Sequence, residues 1–431
     1  MKRGGMILAS ILLLAACAAP SHAAPNADVA FERYLIALAE SRLDSDHQGF
    51  VFETLDGQTL LSHNVDCPFN PASVVKLATS SVALDRLGQS YRFPTAFYAS
   101  GTINPETGVL NGDLVVLGSG DPSLVTEHLF GVARELRARH ITRIAGNVVV
   151  KGPFYCNFSM SRDNAGETLR QSLDVEKWSK STDAAFARYR SLTGVSNYES
   201  VTIDGAVVTS ESSDTRGLTP LFTLRSVPLI QVLKQLNNYS NNWMAHIVGS
   251  RVGGADAVRE TVGSRLQIPG EEFYLQSTSG LGRNGMRPRD VILMLRDLQN
   301  RLTRDKLAPS ALMPVAGVDP GTLEDRFLQP PYRGAVVAKT GTLRGVSVLA
   351  GYMYTRSKGV VLFVIMNEGG TPTRFRYLQD NLVSEMFEAC GGPMPTSYSR
   401  LSGTPASRFP VIDRASGSIP AATQARAAAA N

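Results

Sequence analysis

Residues 70–76 read Asn70-Pro71-Ala72-Ser73-Val74-Val75-Lys76, and the rest of the chain is best read outward from them. Asparagine before proline marks a helix start: the Asn side chain can accept from an unpaired backbone N–H, and proline at the first helical position forfeits no hydrogen bond. Ser73 then falls in the first turn, where free N–H groups and the positive end of the helix favour developing negative charge. Lys76 follows three residues later on the same face. A serine hydroxyl is a weak nucleophile until a base takes its proton, and a lysine can serve once burial and nearby cations lower its pKa. Arginine cannot, because guanidinium stays protonated. Lysine is scarce here, nine among 43 basic residues, so a mere surface cation would more often be arginine. An isolated Ser-x-x-Lys still reads as a capped helix with an exposed lysine, and the chemistry needs further residues.

Two more polar motifs follow in order. Ser240-Asn241-Asn242 comes after a helical stretch at 228–236; Ser240 offers a hydroxyl to relay a proton to a leaving amine, and Asn242 an amide to hold a substrate backbone. Lys339-Thr340-Gly341 ends a strand at 336–340, placing a cation and a hydroxyl on a strand edge, with Gly341 letting a ligand lie close. Lys339 is a candidate for the second cation that lowers the Lys76 pKa, and the backbone N–H groups of Thr342 and Ser73 could form an oxyanion hole. Each motif alone is an ordinary cap or strand end. Together they resemble the signature of active-site-serine enzymes that process or resist penicillin. Rival constellations are weak. There is no Gly-x-Ser-x-Gly elbow, and the histidines, among them His63, His128 and His246, show no triad context. His246, in an apolar run, reads as a core residue. Gly118-Ser119-Gly120-Asp121-Pro122 lacks the lysine and helix signature of a phosphate loop and reads as a turn at a domain edge.

The 431 residues, 43% hydrophobic, suffice for two or more packed domains. A formal charge of +5, with no basic run interleaved with aromatics, excludes nucleic acid as the expected partner. Without Cys-x-x-Cys, His-Glu-x-x-His or an acidic calcium loop, neither a metal nor a cofactor is expected. Lys2-Arg3, the apolar 6–16 and Ser21-His22-Ala23 form a secretory leader, 1–23, too short to span a bilayer permanently. Leu14-Ala15-Ala16-Cys17 resembles a bacterial lipobox, the alternative in which cleavage before a lipidated Cys17 tethers the protein to a membrane. Both destinations, periplasm or cell envelope, lie outside the cytoplasm, and the soluble exported form is preferred. The remaining Cys67, Cys156 and Cys390 are odd in number, leave room for one bridge at most, and make no disulfide framework.

Apolar spacing predicts a helix over 29–43, strands at 49–55 and 60–61, later strands at 347–355 and 360–367, and a closing helix at 374–389. Residues 93–221 are short strands and turns with one helix, 124–138. They are taken as a strand-rich domain inserted into a catalytic domain formed by 24–92 and 222–392. The Ser-, Pro-, Ala- and Gly-rich 393–431 is expected to be a disordered tail.

On the three motifs, together with Leu117-Gly-Ser-Gly-Asp-Pro122, Ser279-Gly-Leu-Gly-Arg-Asn284 and Leu312-Met-Pro-Val-Ala-Gly-Val-Asp319, the chain resembles the class C low-molecular-mass penicillin-binding proteins, D-alanyl-D-alanine carboxypeptidase/endopeptidases of the S13 peptidase type. The resemblance implies an α+β penicillin-recognising domain, an antiparallel sheet flanked by helices. It implies Ser73 as acylated nucleophile, Lys76 as its base, Ser240 and Asn242 lining the site, and Lys339, Thr340 and Thr342 receiving the substrate's carboxylate and acyl oxygen. The implied activity is hydrolysis of D-Ala-D-Ala ends or D-Ala cross-links of peptidoglycan stem peptides, with β-lactam antibiotics acylating the same serine. A β-lactamase is one alternative, but its usual Tyr-x-Asn or separate catalytic Glu is not evident. The other is a catalytically idle peptidoglycan-binding or penicillin-sensing scaffold, against which the complete motif set argues. The interval from Ser73 to Ser240 is short for this family, and 152–190 departs from its usual pattern.

Overall fold

The computed structural model describes residues 27–270, 272–396, 398 and 409–413. The leader at 1–23 and Cys17 lie outside them. Five antiparallel strands form the central sheet, in the order Val336–Leu343, Val346–Thr355, Gly359–Glu368, Gln48–Thr54, Thr59–His63. Alternate residues of a strand point to opposite faces. Here one set, including Val337, Val348, Ala350, Tyr352 and Val364, packs under a layer of helices. The other set, including Val336, Ala338, Leu349, Phe363 and Ile365, packs under Ala27–Glu40 and Pro372–Ala389. With both faces covered, these strands read as continuous apolar runs rather than alternating ones. The antiparallel sheet flanked by helices is the architecture expected of this part of the chain.

In the helical layer, Val75–Leu87 is the centre. Its residues from Val75 to Leu84 are all buried, so over that stretch it has no solvent face and no amphipathic stripe, and only its last turn reaches solvent through Asp85 and Arg86. Leu229–Asn238, Asn242–Arg251, Gly254–Leu266 and Pro288–Arg304 pack around it. Asn237 Nδ2 donates to Ser80 Oγ and to Leu312 O, both at 3.2 Å, tying the helix before Ser240 to the helix after Ser73.

The inserted segment leaves and returns through one neck: Ser226 N donates to Phe93 O at 3.0 Å, and Phe93 N to Ser226 Oγ at 2.8 Å. Its sheet begins at Pro94 and runs on to Arg225, past the expected return at 221. Val109–Leu117 pairs antiparallel with Pro94–Ile103, and parallel with Arg143–Ile144 and Val148–Lys151. The expectation of a strand-rich insert with one helix needs correction. Besides Thr126–Arg137 there are Arg162–Leu173 and Lys180–Thr193. Their buried stripes are thin and built partly from small residues (Ala165, Gly166, Ser172; Thr182, Ala185), which hides the helical period. The local signal was capping: Ser161 and Ser179 each accept from a backbone N–H three residues on, at 3.2 Å. Ser179→Ala is expected to cost about 1 kcal/mol in a denaturant titration.

The tail also departs from expectation where it is described. Val411–Asp413 pairs antiparallel with Thr219–Arg225, Asp413 takes an ion pair from Arg225 at 3.1 Å, and Ile412 packs against the insert's core. Met394 N donates to Tyr354 O at 2.8 Å and Thr396 N to Gly334 O at 3.2 Å. Composition suggested disorder because it averages over the tail and misses a short apolar strand that completes a sheet edge. Residues 399–408 and 414–431 lie outside the description.

Candidate active site

Ser73 sits in the 3-10 turn Ala72–Val74, directly ahead of the α-helix Val75–Leu87. Asn70 Oδ1 accepts from Ala72 N at 2.9 Å, but the cap position of the turn is Pro71, one place ahead of the first helical position expected for it, so Asn70 braces the approach to the turn and does not cap it. Ala72 adopts φ +45°, a left-handed conformation costly for a residue with a Cβ. Its neighbour across the site is Gly280, at φ +84°, where a Cβ would lie 1.9 Å from Ala72 O. The loop carrying Gly280 is wedged between two helices. Thr79 Oγ1 donates to Thr278 O at 2.7 Å, and Thr278 Oγ1 to Ala245 O at 3.0 Å.

Lys76 is completely buried. Its Nζ lies 2.9 Å from Ser73 Oγ, 2.7 Å from Asn242 Oδ1 and 2.6 Å from Ser279 O. Burial lowers its pKa to about 7. A neutral amine has two N–H donors and one lone pair. Asn242 Oδ1 and Ser279 O can only accept, so they take the two N–H groups, and the lone pair is left for the Ser73 hydroxyl. In its neutral form Lys76 Nζ can therefore accept a hydrogen bond from Ser73 Oγ.

Lys339, also fully buried, donates to Ser240 Oγ at 2.9 Å and to Thr340 O at 2.7 Å. Burial first, and the charge of Lys76 second, hold its pKa well below the ordinary lysine value. The expectation that Lys339 lowers the Lys76 pKa is thus modified: burial acts on Lys76, and repulsion between the two lysines acts on Lys339. Ser240 is held at φ +53°, a second strained residue at the same centre. Gly341 is needed for close passage, since a Cβ there would meet Pro71 O at 2.8 Å and Ala72 Cβ at 3.1 Å. The Lys-Thr-Gly strand therefore lies against the turn bearing Ser73, with Thr340 and Thr342 on either side of the contact.

All eight residues singled out from the sequence, Ser73, Lys76, Ser240, Asn242, Lys339, Thr340, Gly341 and Thr342, lie on the three segments that meet here. Ser279, through its carbonyl, and Gly280 were missed as site residues. A backbone acceptor leaves no side-chain signal, and the stretch 279–284 entered only as part of the family resemblance. His246 is exposed, on the outer side of Asn242–Arg251, not in the core as expected; Met244, Ala245, Ile247 and Val248 take the buried positions.

The insert supplies a neighbouring wall. Tyr155 and Phe158 each meet the Trp243 ring edge-on, with centroids 5.9 Å apart. The Gly118–Asp121 turn stands at the boundary between insert and catalytic part, with Gly120 close to Ile247. Burial pushes the Asp121 pKa up to about 6, although Ser123 donates to its carboxylate through N at 2.8 Å and Oγ at 2.7 Å. Among the described residues no His, Cys, Asp and Glu group is arranged to hold a metal ion, and Cys67, Cys156 and Cys390 are free thiols.

The fold is that of known enzymes. A predatory endopeptidase from Bdellovibrio bacteriovorus superposes with TM-score 0.72 at 21% identity, over 85% of this chain and 99% of the other. Penicillin binding protein 4 of Haemophilus influenzae does so with TM-score 0.60 at 21% identity, over 82% and 99%. In sequence, a carboxypeptidase of Mycobacterium tuberculosis is 28% identical over 361 residues, 75% of this chain and 76% of the relative. A D-alanyl-D-alanine carboxypeptidase of Actinomadura sp. is 24% identical over 454 residues, covering 82% and 83%. Family-level similarity runs over residues 35–167 and 164–385, through the Ser73 turn, the insert, the Ser240 loop and the Lys-Thr-Gly strand. A match of that extent settles the kinship: the chain belongs to the D-Ala-D-Ala carboxypeptidase 3 (S13) family.

Proposed function

We propose that this protein is a serine DD-peptidase that cleaves D-Ala-D-Ala ends or D-Ala cross-links of peptidoglycan stem peptides through an acyl-enzyme on Ser73. The observation that carries the reading is the buried Lys76 amine, 2.9 Å from Ser73 Oγ with its N–H groups committed elsewhere. Ser73 Oγ attacks the carbonyl of the penultimate D-alanine as its proton passes to Lys76 Nζ. The oxyanion is met by the backbone N–H groups of Ser73 and Thr342. Ser240, held by Lys339, passes its proton to the leaving amine as the C–N bond breaks and recovers one from protonated Lys76, which returns to the neutral amine. Water then attacks the ester as Lys76 takes its proton, and when the C–O bond to Ser73 breaks Lys76 hands that proton to Ser73 Oγ, restoring the free hydroxyl. Asn242 Nδ2 would hold the substrate backbone while Oδ1 stays with Lys76. The residues require no cofactor for these steps.

A β-lactam presents the same carbonyl in a strained ring, and its opened amine stays attached, so the acyl-enzyme persists. A penicillin G-acylated form of the Bdellovibrio endopeptidase supports this expectation. The leader at 1–23, or the lipobox ending at Cys17, would deliver the site to the periplasm or envelope, where this substrate lies. Among the described residues no helix is long and apolar enough to cross a membrane.

The test is labelling of the mature protein with a fluorescent penicillin, beside Ser73→Ala, with D-alanine release from a stem pentapeptide measured in parallel. A stable adduct and D-alanine release, both lost in Ser73→Ala, are the expected result. An adduct that turns over within seconds would favour the β-lactamase reading. A folded wild-type protein with neither activity would favour the idle scaffold.

A further inference from the structure

The end of the central sheet beyond the Lys-Thr-Gly motif carries a carboxylate that the reaction does not use. Gly341, Val348 and Met366 form one row across three neighbouring strands, and Leu343, Val346 and Glu368 form the next row on the same face. Val348 and Met366 belong to the core under the helical layer, so this is the face that carries the Ser73 turn. The turn rests on the first row, with Pro71 O and Ala72 Cβ against Gly341. Asn70, just ahead of it, reaches the second row. Glu368 is half-buried there and, among the described residues, makes no ion pair, although the chain is rich in arginine. Its Oε1 instead accepts from the backbone N–H of Asn70 at 2.6 Å.

Asn70 passes that anchor on. Its Oδ1 accepts from Ala72 N at 2.9 Å, and its Nδ2 donates to Gly282 O at 3.4 Å. Ala72 is the residue held at φ +45°, and the peptide joining it to the next residue carries the Ser73 N–H. Such a conformation persists only where its surroundings hold it, and any relaxation would rotate that N–H. The same strand end also fixes the hairpin that carries Thr342, the other donor proposed for the oxyanion. Glu368 pairs with Val346, and Gly369 N donates to Gly345 O in the hairpin turn at 3.0 Å. The two donors come from segments far apart in the chain, and an oxyanion hole needs them at one fixed separation. Glu368 stands where the two segments are tied to each other.

We propose that Glu368 is a positioning residue for the oxyanion hole: its carboxylate, through Asn70 and the strained Ala72, sets the Ser73 N–H against that of Thr342. The proposal rests on the Ser73 acyl-enzyme reading above. Glu368 acts through the main chain and not on the substrate, so it governs the acylation step and not the affinity of the noncovalent complex that precedes it.

The test is stopped-flow acylation by a chromogenic β-lactam, resolved into the dissociation constant of the noncovalent complex and the acylation rate constant. The proteins compared are the wild type, Glu368→Ala, Glu368→Gln and Asn70→Ala. Glu368→Ala should acylate about tenfold to a hundredfold more slowly, the scale set by a misplacement of about 1 Å, with a dissociation constant changed by less than about twofold. Glu368→Gln keeps an oxygen acceptor in the same place and should recover most of the rate. Asn70→Ala should show the same loss, and joining it to Glu368→Ala should add little, because both break one chain of contacts. Wild-type acylation by Glu368→Ala, a loss of affinity in place of rate, or an equal loss in Glu368→Gln overturns the proposal and leaves the acyl-enzyme reading standing. If Glu368→Ala shows no melting transition, the other two variants decide: wild-type acylation by Asn70→Ala, or a lost rate in Glu368→Gln, overturns the proposal. A wild type that forms no adduct overturns both.

Discussion

Lys76→Ala lowers the rate of Ser73 acylation by roughly 10²–10⁴-fold, the usual span for a positioned general base. Stopped-flow acylation by a chromogenic β-lactam measures it. The effect follows from the geometry at Nζ. Two acceptor-only oxygens, Asn242 Oδ1 and Ser279 O, orient the amine, and burial brings its pKa to about 7. Lys76→Arg should rescue nothing, because guanidinium has no lone pair to offer at any working pH. The base acts in its neutral form. The wild-type acylation rate therefore rises with pH through about 7 and levels above it. Stability follows the same group with a defined sign. The folded-state pKa lies below the ordinary lysine value of 10.5, so between about 7 and 10.5 the unfolded chain binds the extra proton. Stability linked to Lys76 thus rises with pH across that window. A flat acylation profile from pH 5 to 9, or near-normal acylation in Lys76→Arg, would assign the base to another group.

Gly280→Ala should be the most damaging single-methyl substitution near the site. The new Cβ would lie 1.9 Å from Ala72 O, a backbone atom that cannot swing away, and the residue would remain at φ +84°. Left-handed backbone costs about 1–2 kcal/mol for an L-residue and overpacking a further 1–3, so a loss of about 3 kcal/mol is expected. The displaced atom belongs to the residue before Ser73, so penicillin labelling should fall as well. Gly282→Ala is the comparison. It has a similar φ of +81°, but its Cβ meets the end of the Gln276 side chain, Oε1 at 2.4 Å, which can move. It should cost about 1–2 kcal/mol, mostly backbone strain, and leave labelling intact. Denaturant titrations of both variants decide the matter: equal costs would mean that the contact with Ala72 O relaxes freely.

What could be read from the sequence was local. Asn70, Ser73 and Lys76 belong to one turn of chain, and their relation is set by helical spacing whatever else folds around them. The strands at 347–355 and 360–367 and the closing helix announced themselves by apolar runs and period, because each buries side chains against the body of the catalytic domain. The helices Arg162–Leu173 and Lys180–Thr193 did not, since small residues fill their buried stripes. Nor did strand Val411–Asp413, whose partner lies far back in the chain. The site divides in the same way. The sequence by itself determined which side chains are the candidates for the chemistry and the order in which they occur. Only the tertiary structure decided that Asn242, 166 residues from Lys76, and Ser279 O, 203 residues away, would aim its lone pair, and that Glu368 would reach Asn70. The reason is physical: spacing fixes neighbours along a helix or strand, whereas burial, a lowered pKa and a directed lone pair exist only once distant segments have closed over the amine.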